Sequence, residues 1–516
     1  MRFSWLTAFI FTSLLAFEAC QSASTTETNT APPVPTQLSG RQLAQTYCGS
    51  CHLAPDPSLL DKVTWRNGVL PQMALRMGQS DQQMNALASI GNMEEMTRIL
   101  QAKIFPESPM LDSTDWQKIV TYYITTAPEK PLPQPARKPV QLSLSLFQPK
   151  LSKYAIDGFV TLLKYDSIRH QIWAGDGRGH LYALNKDLRR TDSVQLSSPV
   201  TDLRTNRDGS TELLTVGMLN PNDRLTGAWS HLNPTDKQPT PVLQGLQRPV
   251  AAIPADLNQD GREDVVICQF GNYLGKLSWH EKTASGYTEH LLDSVPGVRT
   301  AIIQDVNKDK WPDVVALLSQ GDEQIAVYYN QQNGSFVKKT VLRFPSVYGS
   351  SYLELNDIDL DGDLDLVYTN GDNADYSIVL KPYHGVRIFL NDGQFRFRQA
   401  WFYPMHGATQ TVIRDFDQDG DADIAAIAHY PDFSQEPNQG FVYFENQGNL
   451  SFAPRTFTRA NQGRWLRIDA GDVDQDGDDD ILLGSFFRPT NAKYADLMNQ
   501  WAKPGAGILL LENKLK

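Results

Sequence analysis

From about residue 160 onward the chain repeats one hydropathy pattern, an acidic loop followed by a short apolar run. The stretch Asp472 to Gly484, Asp-Val-Asp-Gln-Asp-Gly-Asp-Asp-Asp-Ile-Leu-Leu-Gly, states the pattern most fully. The same frame, Asp-x-(Asp/Asn)-x-Asp-(Gly/Lys)-x-x-Asp before apolar residues, begins at Asp256, Asp305, Asp357 and Asp415, a spacing of about 50 residues. Apolar runs of this length bounded by turn residues predict buried strands. Strands ending in Asn330, Asn391 and Asn446 turn through a glycine into another strand beginning Ser-Phe or Gln-Phe, but the last repeat stops just past Asn513. The final repeat therefore lacks an outer strand. Val140 to Phe147, which alternates apolar and polar residues, is expected to supply it and close a ring. Two degenerate copies complete the count. Aligning Gly209 with Gly261 puts Asn206, Asp208 and Glu212 at loop positions three, five and nine but Arg204 at position one, and Lys164 to Gly175 has strand neighbours without a ligand set. Starts near 164, 204, 256, 305, 357, 415 and 472 predict seven repeats.

Upstream the period changes to that of helices. Ser39 and Gln42 form a capping box for a helix carrying Leu43 and Tyr47 on one face. Ser113 or Thr114 is expected to cap a second helix, in which Trp116, Ile119, Val120, Tyr123 and Ile124 make a continuous apolar stripe. Before both, Arg2 and the apolar run Trp5 to Phe17 read as an export signal too short to span a membrane permanently. The expected organisation is residues 1–19 signal, 20–38 a Ser/Thr/Pro-rich tether, 39–127 a small all-α domain, 128–139 a Pro-rich semi-rigid linker, and 140–516 an all-β repeat domain.

Composition adds little beyond room for several domains in 516 residues. The formal net charge of -12 needs no cationic partner, since 18 aspartates occupy the proposed cation positions. No basic patch points to nucleic acid.

The loops carry the first candidate chemistry. Oxygen-bearing side chains at positions one, three, five and nine of a tight loop can converge on one hard cation, and calcium takes six to eight oxygens. The candidate ligands are Asp256, Asn258, Asp260 and Asp264; Asp305, Asn307, Asp309 and Asp313; and Asp357, Asp359, Asp361 and Asp365. The last two loops offer Asp415, Asp417, Asp419 and Asp423, and Asp472, Asp474, Asp476 and Asp480. Gly261, Gly362, Gly420 and Gly477 fit the sixth position, where positive φ is needed; Lys310 breaks the rule and marks the weakest loop. No loop has the glutamate at position twelve of an EF-hand. These residues resemble the FG-GAP or VCBS repeats of integrin-alpha-like propellers, over roughly Val160 to the C-terminus. The resemblance implies a β-propeller with up to five structural calcium ions.

The second chemistry lies in Cys48-Gly49-Ser50-Cys51-His52, the c-type haem attachment pattern, in which two thiols form thioethers and the adjacent histidine reaches iron. A disulfide or half a zinc site would leave the adjacent histidine unexplained. The remaining Cys268 sits on a predicted core strand as a small apolar residue. From about Gly40 to Ala127 the chain resembles class I cytochromes c. Met73 in Leu-Pro-Gln-Met is the first-ranked sixth ligand, with Met110 and Met77 as alternatives and an open iron position as the remaining case. Phe17-Glu18-Ala19-Cys20 resembles a bacterial lipobox, which implies lipidation of Cys20 and a lipid-anchored place in the bacterial cell envelope, facing the periplasm or on the outer-membrane surface; an ordinary secretory signal is the alternative.

Three functions follow. The first is an electron-transfer lipoprotein with a redox partner protein and a propeller used for docking. The second is a fused dehydrogenase whose propeller oxidises a sugar or alcohol with a quinone-type cofactor. The third is a glycan-binding or adhesion module with a carbohydrate ligand. His384, His406 and His429, in insertion-prone stretches, are candidate metal or acid/base groups, with unrelated packing roles the plainer expectation. No nucleophile motif or phosphate loop is present.

Overall fold

The computed structural model describes residues 33–80, 87, 90–152, 156–373, 377–488 and 494–515. The export signal, Cys20 and tether residues 20–32 lie outside them.

Seven four-stranded antiparallel sheets form the bulk of the molecule. Their innermost strands are Val160–Asp166, Val200–Thr205, Pro249–Ala255, Val298–Gln304, Ser350–Asn356, Ala408–Arg414 and Trp465–Gly471. These strands touch in cyclic order, the first against the last, so the ring is closed. The molecule is a seven-bladed β-propeller, as the repeat count predicts. Each innermost strand carries a bulge at its second residue: Thr161, Thr201, Val250, Arg299, Ser351, Thr409 and Leu466. A bulge adds local twist and re-aims side chains, here once per blade at the same end of the channel.

The core lies between the blades. The second strands, such as Asp264–Gln269 and Asp423–Ala428, are buried at every residue, because each is flanked by strands within its sheet and by blades on both faces. Separate apolar clusters join successive blades, for example Val315, Leu317 and Ile325 of blade four with Leu353, Leu366 and Tyr368 of blade five. Each fully buried side chain of this kind contributes about 1.5–3 kcal/mol. Cys268 is one of these core residues, with no exposed surface, and burial pushes its thiol well up.

Closure of the ring corrects one expectation. The outer strand of blade seven is Phe147–Leu151, paired antiparallel with Ile508–Asn513, and not Val140 to Phe147. The earlier segment makes only a bridge, Gln141 pairing with Pro454 and Thr456 of blade six. Phe147 is buried at the start of this strand while Gln148 to Leu151 stay exposed. Pro149 and Lys150 on that strand suit an edge that must not pair further.

The N-terminal part is helical: Gly40–Tyr47, Leu70–Arg76, Met93–Gln101 and Ser113–Thr126. Ser39 and Gln42 form the capping box. The last helix is capped by Asp112, whose carboxylate accepts the Thr114 amide, and not by Ser113 or Thr114, which lie inside it; a charged oxygen at the helix start also meets the dipole. The first and last helices cross where Gly40 lies, and a Cβ there would stand 2.1 Å from the Lys118 carbonyl oxygen. Leu43, Trp116, Ile119 and Tyr123 are buried in one cluster, with Tyr47, Val120 and Ile124 at its edge.

This helical region rests on the propeller face formed by loops between second and third strands. Glu95 accepts the Asp223 amide at 2.6 Å and the Arg224 guanidinium at 3.3 Å. Phe105 meets Tyr273 edge-on at 5.5 Å, and Val347 and Val379 of the propeller pack against the helical core. The Pro-rich linker runs along blade six, where Arg137 bonds the Pro404 carbonyl and pairs with Glu436.

The closing strand can be tested through its anchor. Phe147 packs edge-on against Phe416 and Tyr443 at 5.6 and 5.4 Å. Phe147→Ala is expected to cost about 3–5 kcal/mol in denaturant unfolding; a cost within experimental error would mean that the ring is held elsewhere.

Candidate functional site

The five acidic loops share one conformation. The position-one carboxylate accepts the amides of positions five and six, as in Asp357 with Asp361 at 3.1 Å and Gly362 at 3.0 Å. The turn requires positive φ at position six, which Lys310 adopts at 73° without being glycine, a strained choice for an L residue. In three loops the oxygens of positions one, three and five gather within 4.8 Å of one another: Asp357, Asp359 and Asp361; Asp415, Asp417 and Asp419; and Asp472, Asp474 and Asp476. In the other two, Asn258 and Asn307 turn their amide nitrogens to Asp260 and Asp309, at 3.2 and 3.1 Å, beside Asp256 and Asp305. This all-oxygen donor set fits a hard cation.

The position-nine aspartates stand differently. Asp264, Asp313, Asp365, Asp423 and Asp480 are fully buried, and each takes two backbone amides. Asp480 accepts Val473 at 3.0 Å and Asn513 at 2.8 Å, and Asp423 accepts Phe416 at 3.3 Å and Asn446 at 2.7 Å. Burial, with neighbouring aspartates adding to it, pushes Asp365 up to about 6 and Asp423 and Asp480 up to about 7. In the degenerate second blade Arg204 occupies position one, donates to Asn206 and pairs with Glu263 at 2.6 Å. A guanidinium there supplies fixed positive charge where the other loops offer carboxylate.

In the helical region Cys48 and Cys51 are free thiols, one buried and one exposed. Burial pushes Cys48 up to about 11, which disfavours the thiolate that zinc or disulfide exchange requires. His52 Nδ1 lies 3.0 Å from the Leu53 carbonyl; donation there fixes the tautomer and leaves the Nε2 lone pair for a metal. The loop between is pinned by Trp65 to the Pro57 carbonyl at 2.8 Å and by Tyr123 to the Pro55 carbonyl at 2.9 Å. Met77 is buried in the cluster that holds Cys48, Met73 lies half-buried at its edge, and the Met110 side chain is 44% exposed. The donor set and the apolar edge therefore fit a covalent haem.

The third place escaped the sequence reading. A cavity of about 500 Å³ occupies the central channel, lined by Lys164, Arg248, Arg299, Arg467 and Arg488, with Tyr352, Gln410 and Tyr430 among its uncharged groups. Arg248, Arg299 and Arg467 precede the loop starts Asp256, Asp305 and Asp472 by eight, six and five residues, so repeat alignment alone does not group them. His429 lines the same cavity, its Nδ1 3.3 Å from the Trp465 carbonyl. His384 and His406 are placed elsewhere, and among the described residues no histidine joins a group of three candidate ligands.

With the geometry in place, comparison with known proteins adds the following. The family described as FG-GAP-like repeat matches residues 305–368 and 369–426, so the central blades carry such repeats. No curated protein matches the chain. Among solved structures, the N-terminal domain of Nup159 is similar over 74% of this chain and 99% of its own, at 11% identity and a TM-score of 0.42, a likeness that carries no functional argument.

Lower in the channel wall, Glu354 accepts the Thr411 hydroxyl at 2.9 Å, and burial raises it from 4.5 to about 7. Its folded-state value lies above the unfolded one, so its contribution to stability is complete below about pH 4.5 and lost as pH rises through about 7. Relative to Glu354→Gln, the native protein is expected to lose stability across that window, on the order of 2 kcal/mol, in melts at stepped pH. Parallel curves for the two proteins would show that Glu354 titrates normally.

Proposed function

We propose that this chain is an exported haem-c electron-transfer protein, lipid-anchored through Cys20 in the bacterial cell envelope, whose calcium-stabilised propeller docks a redox partner or a ligand. The observation that carries the reading is the donor set of Cys48, Cys51 and His52, with Nε2 of His52 left available beside an apolar cluster edged by Met73. Haem, when bound, supplies one-electron redox chemistry. Cys48 and Cys51 would tether it, His52 would ligate iron, and Met73 would serve as sixth ligand. Met73 is preferred to Met77, already enclosed by protein, and to Met110, whose side chain points largely to solvent. The apolar edge continues into Val347 and Val379, which supports a haem held against the propeller face and not remote from it.

A propeller of FG-GAP-like repeats is a ligand-binding or docking architecture. The loops would hold up to five calcium ions on the face away from the helices, leaving the helical face for partners. The alternative of a fused dehydrogenase with a quinone-type cofactor draws support from the channel cavity; no donor set specific to a quinone stands out there. Among the described residues no helix is long and apolar enough to cross a membrane.

Two measurements test the reading. After maturation with haem-attachment machinery, the reduced protein is expected to show low-spin bands that carbon monoxide leaves unchanged, and Met73→Ala is expected to become sensitive to it. Absence of covalent haem, or an unaltered Met73→Ala spectrum, would sink the first assignment or the second. For the loops, chelation is expected to lower the melting temperature and calcium to restore it, each site being worth about 2.7 kcal/mol at a hundredfold excess over Kd. An identical melt with and without chelator would remove calcium from the account.

A further inference from the structure

The channel gathers charge that the ring does not need for closure. Five cations, Lys164, Arg248, Arg299, Arg467 and Arg488, face three carboxylates, Asp202, Asp372 and Asp469. The lining is thus two charges positive within a chain of formal net charge -12. Arg299 and Arg467 are the centre of this excess. Each ties its Nε to a carbonyl of the next blade, Ser351 at 3.1 Å and Thr161 at 2.7 Å. Arg299 has Asp372 at 3.6 Å; Arg467 is in no ion pair among the described residues, and burial together with the neighbouring Arg299 pulls it down to about 10. Two guanidiniums fixed by their Nε atoms and turned toward one cavity form a receptor for a planar anion, since the fork matches a carboxylate.

The rest of the lining narrows the class. Three carboxylates would repel a multiply charged anion but accept hydroxyl donors, and Gln410 adds a further polar group. Tyr352 and Tyr430 offer ring surface for an apolar sugar face. A volume of about 500 Å³ falls within the range of small-molecule sites. We propose that the channel binds a monocarboxylated sugar, with Arg299 and Arg467 holding the carboxylate and the acidic and amide groups taking its hydroxyls. This names a ligand class for the propeller half of the reading above and needs neither haem nor lipid.

Calorimetry on the full mature chain tests it with D-glucuronate, D-glucose and inorganic phosphate as probes. Glucuronate is expected to bind and glucose to bind at least tenfold more weakly; Arg467→Gln and Arg299→Gln are each expected to weaken glucuronate by roughly tenfold or more, with unchanged melting temperature certifying the fold. Arg467→Lys provides a second, charge-preserving variant should the glutamine form unfold, and is expected to bind more weakly than the native protein because the fork is lost. The proposal is overturned by no binding of glucuronate, by equal binding of glucose, by binding of phosphate alone, or by affinity indifferent to both arginines. Normal glucuronate binding by a chain that takes no haem would leave this inference standing and remove only the electron-transfer reading.

Discussion

A buried carboxylate that accepts two backbone amides is the interaction on which the propeller rests. It occurs at Asp264, Asp313, Asp365, Asp423 and Asp480, each with no exposed surface. One oxygen holds the second residue of the acidic loop, and the other holds the blade's third strand or the residue just beyond it, as in Asp313 with Val306 at 3.2 Å and Asn330 at 2.8 Å. A hydrogen bond to a charged group contributes about 1.5–3 kcal/mol, and losing the acceptor would strand both amides. The asparagine at the strand end extends the link, since Asn330 Nδ2 reaches the Leu257 carbonyl of the preceding blade at 2.8 Å and Asn513 Nδ2 reaches Phe416 at 2.8 Å. In blades four and seven, loop, sheet and neighbouring blade are thus joined by two short polar side chains.

That device explains why the loop aspartates divide into two kinds. Position nine is buried and held by two backbone amides, whereas positions one, three and five crowd their oxygens at the surface in three loops. Crowded carboxylates repel, and a divalent cation would offset the repulsion that the backbone amides to position one only partly relieve. Blade two shows another solution, Arg204 donating to Asn206 where a loop carboxylate is missing. The fold therefore tolerates either charge arrangement, and Glu212 keeps the place of the buried acid in blade two.

The repeat made the architecture legible. A fixed ligand spacing before an apolar run is visible without knowledge of partners, so the seven blades and the position-nine acids could be read directly. The capping box at Ser39 was equally local. What could not be read was long-range: the strand that pairs with Ile508–Asn513 begins at Phe147, despite the better alternation of Val140 to Leu146, and Phe147 packs against Phe416 and Tyr443, residues of blade six more than 250 positions away. Asp112 took the cap because its carboxylate reaches the Thr114 amide, a choice between adjacent capping residues that pattern alone does not decide. The channel arginines stayed hidden for a different reason, being spread from Arg248 to Arg488 and assembled only by ring closure.

Comparison of equivalent positions within this one chain separates frame from site. Position nine is aspartate in five loops and glutamate in a sixth, and the bulge recurs in all seven innermost strands. The residue just after the bulge differs in every blade: Leu162, Asp202, Ala251, Thr300, Tyr352, Gln410 and Arg467. A position that any of seven side chains can fill is not set by the packing of the ring, since the same strand geometry accepts leucine and arginine alike. The local polar links hold each blade without help from that position, which leaves the channel wall free to carry different chemistry on each side. The helices settle on the same end of the ring, where Glu95 grips the Asp223 amide and Arg488 bonds Asn220 at 2.6 Å beside the channel mouth. The rigid repeat thus brings the one varied surface of the propeller to the face that the Cys48-to-His52 region also occupies.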